Sequence, residues 1–193
     1  MSIFNIVVAL ATVPTEVFRI IFRDAKEADV AKIAALVNSA YRGESSRKGW
    51  TTEADLLGGQ RTDPDAILEI LKTPANIFLL CFLDQVLIGS VHLRREHRNC
   101  YLGMFVVKPE IQAQGIGKAF LLHAETFSRE EWQCETMTMT VIALRTELIR
   151  WYERRGYANT GKSVDFPYGD ERFGIPYRTD LHLSLLQKKL ANL

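Results

Sequence analysis

Tyr101-Leu-Gly-Met-Phe-Val-Val-Lys-Pro-Glu-Ile-Gln-Ala-Gln-Gly-Ile-Gly-Lys-Ala-Phe-Leu-Leu122 reads as a buried strand, a short turn and an amphipathic helix. The strand is branched and aromatic up to Val107 and stops at Pro109, and Gly115 and Gly117 open the helix. At such a junction the first helical N–H groups have no intrahelical partners and the helix dipole places positive potential there. Glycines also let a ligand approach the backbone, so the turn is a seat for an anion. Spacing narrows the anion. A Walker A loop needs Ser or Thr after Gly-Lys and a glycine five positions before the second, but Ala119 and Gln112 stand there. A dinucleotide fingerprint needs Gly or Ala three residues after the second glycine, where Phe120 stands.

Outward from this turn the chain alternates between period-2 and helical patterns. Phe18, Ile20 and Phe22 alternate with arginines as in a half-buried strand, and Val30, Ile33, Ala34, Val37, Ala40 and Tyr41 give one apolar stripe on a helix over 27–41. Gly43, Ser45 and Ser46 break that helix. Thr51 and Thr52 are placed to cap a short helix through Leu57, and Asp63-Pro64 starts another that runs to Lys72. Three strands follow over 77–83, 86–93 and 101–107, the first two joined by a hairpin at Asp84-Gln85. A helix over 115–131, a Thr/Met strand over 136–141, a helix carrying Leu144, Leu148, Trp151 and Tyr152 on one face, and a last strand over 180–185 complete the order. The order predicts a mixed α/β sheet flanked by helices in one domain, with residues 1–17 an N-terminal extension and residues 18–190 the domain.

Composition excludes several classes. With 193 residues, 47% of them hydrophobic, the chain can bury a sizeable core, which rules out disorder. Twenty-four Lys and Arg against 23 Asp and Glu leave a formal charge of +1, so neither nucleic acid nor an anionic membrane is expected as partner. Cys81, Cys100 and Cys134 are scattered and read as reduced, buried thiols, and the four histidines have no metal-binding spacing. No metal is expected. The apolar run 6–13 is too short to span a bilayer and no Lys or Arg precedes it, which reads as an N-terminal extension of a cytoplasmic protein, with a poor signal peptide as the alternative.

Gln112-x-x-Gly115-x-Gly117 after Val106-Val107 resembles the acyl-CoA pyrophosphate loop of the GNAT acetyltransferase superfamily. Arg145-x-Glu-Leu-Ile-Arg-Trp151-Tyr152-Glu-Arg-Arg-Gly156-Tyr157 resembles that family's second signature, and Phe22-Arg23-Asp24-Ala25 resembles the entry to its first helix. The likeness spans roughly residues 18 to 186. It implies a sheet whose central strands splay apart, acetyl-CoA as co-substrate, and acetyl transfer to a primary amine of a small molecule by direct attack in a ternary complex. The protein would act as a monomer or homodimer. A noncatalytic acyl-CoA-binding module and a transferase of another acyl group are the alternatives.

The same resemblance assigns roles. The backbone of Phe105, Val106 and Val107 would contact the pantetheine and the acetyl carbonyl. The amides of Gln114, Gly115, Ile116, Gly117 and Lys118 would hold the pyrophosphate, with Gln112 bracing the turn. The Lys118 side chain either meets a phosphate or lies in solvent. Tyr152 matches the tyrosine whose hydroxyl meets the sulfur, and a core role on an apolar helix face is the other reading. Arg145 stands where many members have Asn; it either reaches CoA or pairs with Glu147 or Glu153. The strand before the loop lacks the carboxylate that often serves as base, so Glu53, His92, Tyr101 or a water chain remain candidates. Trp50, Glu53 and Tyr168 fall in the stretches that would form the acceptor pocket.

Overall fold

The computed structural model describes residues 4–7 and 19–190. In chain order the elements are β1 (Phe4–Val7), β2 (Arg19–Asp24), α1 (Val30–Tyr41), α2 (Gly43–Ser46), β3 (Leu57–Gly58), α3 (Pro64–Lys72), β4 (Asn76–Leu83), β5 (Val86–Glu96), β6 (Asn99–Val107), α4 (Ile116–Glu130), β7 (Thr136–Ile142), α5 (Thr146–Glu153), β8 (Ala158–Asp165), β9 (Ile175–Pro176) and β10 (His182–Lys189). Within the stretch read as an N-terminal extension, Phe4–Val7 pair with β2 at the sheet edge. Phe18 and residues 8–17, including most of the apolar run, lie outside the described residues.

One mixed sheet organises the chain, in the order β1-β2-β4-β5-β6-β7-β10-β8. All neighbours are antiparallel except β6 and β7, which run parallel. The middle strands are apolar on both faces because helices cover both. Phe78 and Leu80 of β4 point towards Ile33 and Val37 of α1 and Ile67 of α3, while Leu79 and Cys81 join Phe120 and Leu121 of α4, Met139 and Leu186. The cysteines are free and buried.

Two irregularities in the centre open the sheet. β6 and β7 pair only from Asn99–Thr136 to Tyr101–Thr138, yet β6 continues to Val107 and β7 to Ile142, so their C-terminal halves diverge. Opposite β5 the register of β6 slips between the pairs His92–Gly103 and Ser90–Val106. The extra residue is absorbed at Met104, which has φ 45°, and a bulge of this kind bends and twists the strand.

Asp63 caps α3 as expected, its carboxylate accepting from the Ala66 N–H at 2.8 Å with Pro64 at the first helical position. Thr51 and Thr52 do not start a helix. The Thr52 hydroxyl accepts from the Ala54 N–H, but the chain turns once and becomes extended at Leu57, which pairs with Pro176. Two contacts override the cap: Glu53 is drawn into a buried ion pair, and Leu57 is buried with Ile142, Phe166 and Leu181. Leu144 lies in the exposed turn before α5 rather than on its apolar face. The last strand begins two residues later and runs further than its leucine alternation indicates, because Leu181 is buried in that satellite cluster.

Candidate active site

The turn between β6 and α4 is held open by its own chemistry. Gln112 accepts from the Trp50 N–H at 3.1 Å through Oε1 and donates from Nε2 to the Val107 carbonyl at 2.8 Å. One side chain therefore ties the turn to the end of β6 and to the backbone at Trp50. Ala113 and Gly115 both have positive φ, 63° and 84°, so the turn alternates its backbone hand and faces successive N–H groups into a concavity. An L side chain at φ 63° costs about 1 kcal/mol, a strain the Gln112 brace offsets. At Gly117 an added Cβ would lie 3.5 Å from Trp151 Cζ2, in ordinary contact, so the glycine is not required by packing within the chain.

A cavity of about 450 Å³ opens beside the C-terminal end of β6, where that strand has parted from β7, and is closed on the other side by α5. Phe105, Val106 and Val107 form one wall, the turn with Gln112, Gly115, Gly117 and Lys118 one end, and Ala40, Tyr41, Trp50 and Thr51 another side. α5 supplies Arg145, Leu148, Trp151 and Tyr152, followed by Arg154 and Arg155. Phe105 sits between Phe120 and Trp151, with ring centroids 5.4 and 6.2 Å away. The Arg155 guanidinium lies 3.5 Å above the Trp151 ring and donates to the Trp151 carbonyl at 2.6 Å. Four cationic side chains line the cavity, and no Asp, Glu or His does among the described residues.

Tyr152 is 4% exposed, packed edge-on against Trp151 and Tyr157 at 5.0 and 5.6 Å. Burial pushes its phenol well above the usual tyrosine range, so the hydroxyl keeps its proton at neutral and mildly alkaline pH.

Beside the cavity lies a buried charge cluster. Glu53 accepts from Arg42 Nη1 through Oε2 and from Arg145 Nη1 through Oε1 at 2.7 Å. Arg42 also donates to the Phe173 carbonyl at 3.1 Å, and Arg145 to the Thr51 hydroxyl at 2.9 Å. Burial alone would raise the Glu53 carboxyl, but the two guanidinium groups outweigh it and hold the pKa below the usual value.

The sequence model of the acetyltransferase (GNAT) family matches residues 27–157. The chain belongs to the GNAT acetyltransferase family. No curated protein matches it. Among solved structures, an N-acetyltransferase from Staphylococcus aureus Mu50 superimposes with a TM-score of 0.66 at 13% identity, over 90% of this chain and 99% of that one. The ribosomal-protein-S18-alanine N-acetyltransferase of Escherichia coli gives 0.65 at 11%, over 90% and 96%. The spermidine/spermine N-acetyltransferase of Vibrio cholerae gives 0.61 at 16%, over 89% and 92%. At these identities the likeness is one of fold.

In this GNAT chain the residues expected around the acceptor separate. Trp50 lines the cavity and is 42% exposed. Glu53, expected at the acceptor or as a base, does not line it, and both its carboxylate oxygens are held by arginines. Tyr168 is also outside: its hydroxyl accepts from the Leu181 N–H at 2.6 Å and its ring packs on Phe166, so it braces the 166–181 segment. Arg145 lines the cavity but pairs with Glu53, not with Glu147 or Glu153. Of the other base candidates, His92 is bonded to Asn76 Oδ1 at 2.7 Å with its pKa lowered to about 4 by burial, and Tyr101 shares a hydrogen bond with Thr140 at 3.0 Å. Neither lines the cavity. Gln114, whose side chain is exposed, and Ile116, which is in the core, do not line the cavity. Sequence reasoning missed Arg42, Arg154 and Arg155. The adjacent Arg154-Arg155 pair at a helix end before Gly156 was the available signal; Arg42 had none, because its partner is eleven residues away across a loop. Among the described residues no group of three or more His, Cys, Asp or Glu side chains is placed to hold a metal ion, and no helix is long and apolar enough to cross a membrane.

Proposed function

We propose that this protein transfers the acetyl group of acetyl-CoA to a primary amine of a small molecule, by direct attack within a ternary complex, as a cytoplasmic enzyme whose catalytic unit spans residues 18–190. The observation that carries the reading is the cavity itself. It joins an anion-seating turn with two left-handed residues to a wall of bulged strand and a protonated, buried tyrosine. The donor fits these residues chemically. Its phosphates match the N–H groups of the turn, of which Gly115, Gly117 and Lys118 line the cavity, and the side chains of Lys118, Arg154 and Arg155, and its apolar arm matches Phe105, Val106, Leu148 and Trp151.

Acetyl-CoA supplies a thioester carbonyl with a leaving group whose conjugate acid has a pKa of roughly 8.5. The neutral amine attacks the carbonyl carbon, a C–N bond forms, the C–S bond breaks and the electron pair leaves on sulfur. The bulge at Met104 removes ladder pairing beside Phe105, which frees backbone there to meet the carbonyl oxygen. Tyr152 donates a hydrogen bond to the sulfur as charge develops. A phenol pushed above its usual range is a weaker acid than a thiol, so it stabilises the thiolate without fully surrendering its proton. The proton released by the amine passes to water, and the thiolate draws one from solvent. No lining carboxylate or imidazole is present among the described residues to take the amine's proton, so neutral acceptor comes from solution.

The test is thiol release from acetyl-CoA with a panel of small primary amines, alongside calorimetric binding of acetyl-CoA. Binding with turnover of at least one amine is expected. Binding with no turnover of any amine would make the chain a noncatalytic acyl-CoA module, and no binding would overturn the reading.

A further inference from the structure

The cavity has two cationic poles, and the proposed donor accounts for one. α5 runs along the wall with Arg145 at the position just before its start and Arg154 and Arg155 at its end. Nine residues of helix at 1.5 Å each put these poles about 14 Å apart. The glycine turn belongs to the second pole: the Cβ position of Gly117 is 3.5 Å from Trp151, on whose ring Arg155 is stacked. Lys118, Arg154 and Arg155 thus gather where the diphosphate would sit. Arg145 faces the other end, beside Tyr41 and Thr51.

That first pole is electrostatically incomplete. Arg145 lines the cavity yet is only 8% exposed; its Nη groups donate to Glu53 and Thr51 and its Nε is buried without a partner, so its charge acts on the cavity through the Nη edge beside Thr51. Behind it stand Arg42, 6% exposed and also with an unpartnered Nε, and Arg61, whose guanidinium lies 5.7 Å from the rings of both Tyr41 and Phe173. Against these three cations are Glu53, shared by two of them, and Glu147, which accepts from Thr51 at 3.0 Å from the exposed side. The cluster keeps one uncompensated positive charge against a cavity lined by no carboxylate among the described residues. Burying an unbalanced guanidinium is costly unless an anion meets it. A polycationic acceptor would add repulsion at the same place.

We propose that the acceptor amine carries a carboxylate, seated at the Arg145 end of the cavity: an amino acid or short aminocarboxylate whose apolar portion lies against Trp50 and Leu148. This rests on the acetyltransferase reading above. The test compares matched pairs that differ only in the carboxylate, phenylalanine against phenethylamine and leucine against 3-methylbutylamine, with spermidine as the polycationic probe, by thiol release at one alkaline pH. The aminocarboxylate of at least one pair is expected to show a kcat/KM tenfold or more above its partner, with spermidine the poorest acceptor. Arg145→Met should collapse that preference to below threefold, and Arg145→Lys should restore part of it. If Arg145→Met does not fold, the wild-type pairs alone decide. Equal or better turnover of the decarboxylated partners or of spermidine would overturn the proposal while leaving the transferase reading intact. Faster transfer from succinyl-CoA than from acetyl-CoA to phenethylamine would also overturn it, by placing the anion on the donor. Failure of acetyl-CoA to bind would instead remove the transferase reading itself.

Discussion

Replacing Glu53 by Gln removes one negative charge and almost no volume, so its effect isolates the electrostatics of the Arg42–Glu53–Arg145 cluster. Both arginines are more than nine-tenths buried, and each directs an Nη group at one carboxylate oxygen. The amide keeps one acceptor oxygen and turns an NH2 group towards the other guanidinium, leaving two desolvated cations without a counter-charge. Breaking a buried pair in this way costs about 3–5 kcal/mol. For a chain of this length 1 kcal/mol moves Tm by about 2–4 °C, so Glu53→Gln should melt on the order of 10 °C lower. The sign with pH follows from the depressed carboxyl: the stabilisation is complete above the unfolded-state pKa near 4.5 and is lost as pH falls through the lower folded-state value. Thermal melts of wild type and variant at pH 7 and pH 4 measure both parts. A Tm within 2 °C of wild type at pH 7 would refute the cluster as a structural element and return Glu53 to the list of free bases.

Tyr152→Phe keeps the ring against Trp151 and Tyr157 and removes only the hydroxyl, so it should fold, bind acetyl-CoA nearly as wild type does, and lower kcat by about 10- to 100-fold; turnover within twofold would make the residue part of the core alone. His92 is held neutral with its pKa lowered from 6.5 to about 4, so the folded state loses stability as pH falls from 6.5 towards 4, by about 3 kcal/mol at the lower end. His92→Gln lacks that loss, and its stability deficit relative to wild type should narrow by about that amount between pH 7 and pH 4 in urea titrations; a constant deficit would contradict the assigned shift. The rate of acetyl transfer at low acceptor concentration should rise through mildly alkaline pH, because no lining carboxylate or imidazole takes the amine's proton. A maximum near pH 5 would point to a base outside the described lining.

What could be read in the sequence was set by the range of the interactions. The cap at Asp63-Pro64 and the strand-turn-helix junction at Val107 to Lys118 rest on neighbours within a few residues, and both stand in the fold where the chain pattern puts them. β8 could not be located, because all eight of its residues are exposed and no alternation marks it. The turn at Thr51–Leu57 reads locally as a capped helix, yet Glu53 is fixed by Arg145, 92 residues away, and Leu57 by Pro176 on the short β3–β9 pair. Tyr168 has the composition of a pocket aromatic and is instead committed to the Leu181 backbone, a partner set by how its loop folds back. Residues whose environment depends on loop closure are the ones whose contacts a linear reading leaves open.

The central claim is that acetyl-CoA sits on the turn from Gln112 to Lys118, and Gly117 tests it most directly. A Cβ there meets only ordinary contacts with Trp151 and Val107, and Gly117 lines the cavity, so valine adds its bulk where the ligand's phosphates would lie and the melting temperature of the free variant checks that the protein tolerates it. Calorimetric titration with acetyl-CoA should give one site on wild type and an affinity at least about 30-fold weaker for Gly117→Val, equivalent to about 2 kcal/mol, with the melting temperature of the free protein little changed. No binding to the wild-type protein, or equal affinity in the two, would contradict the account.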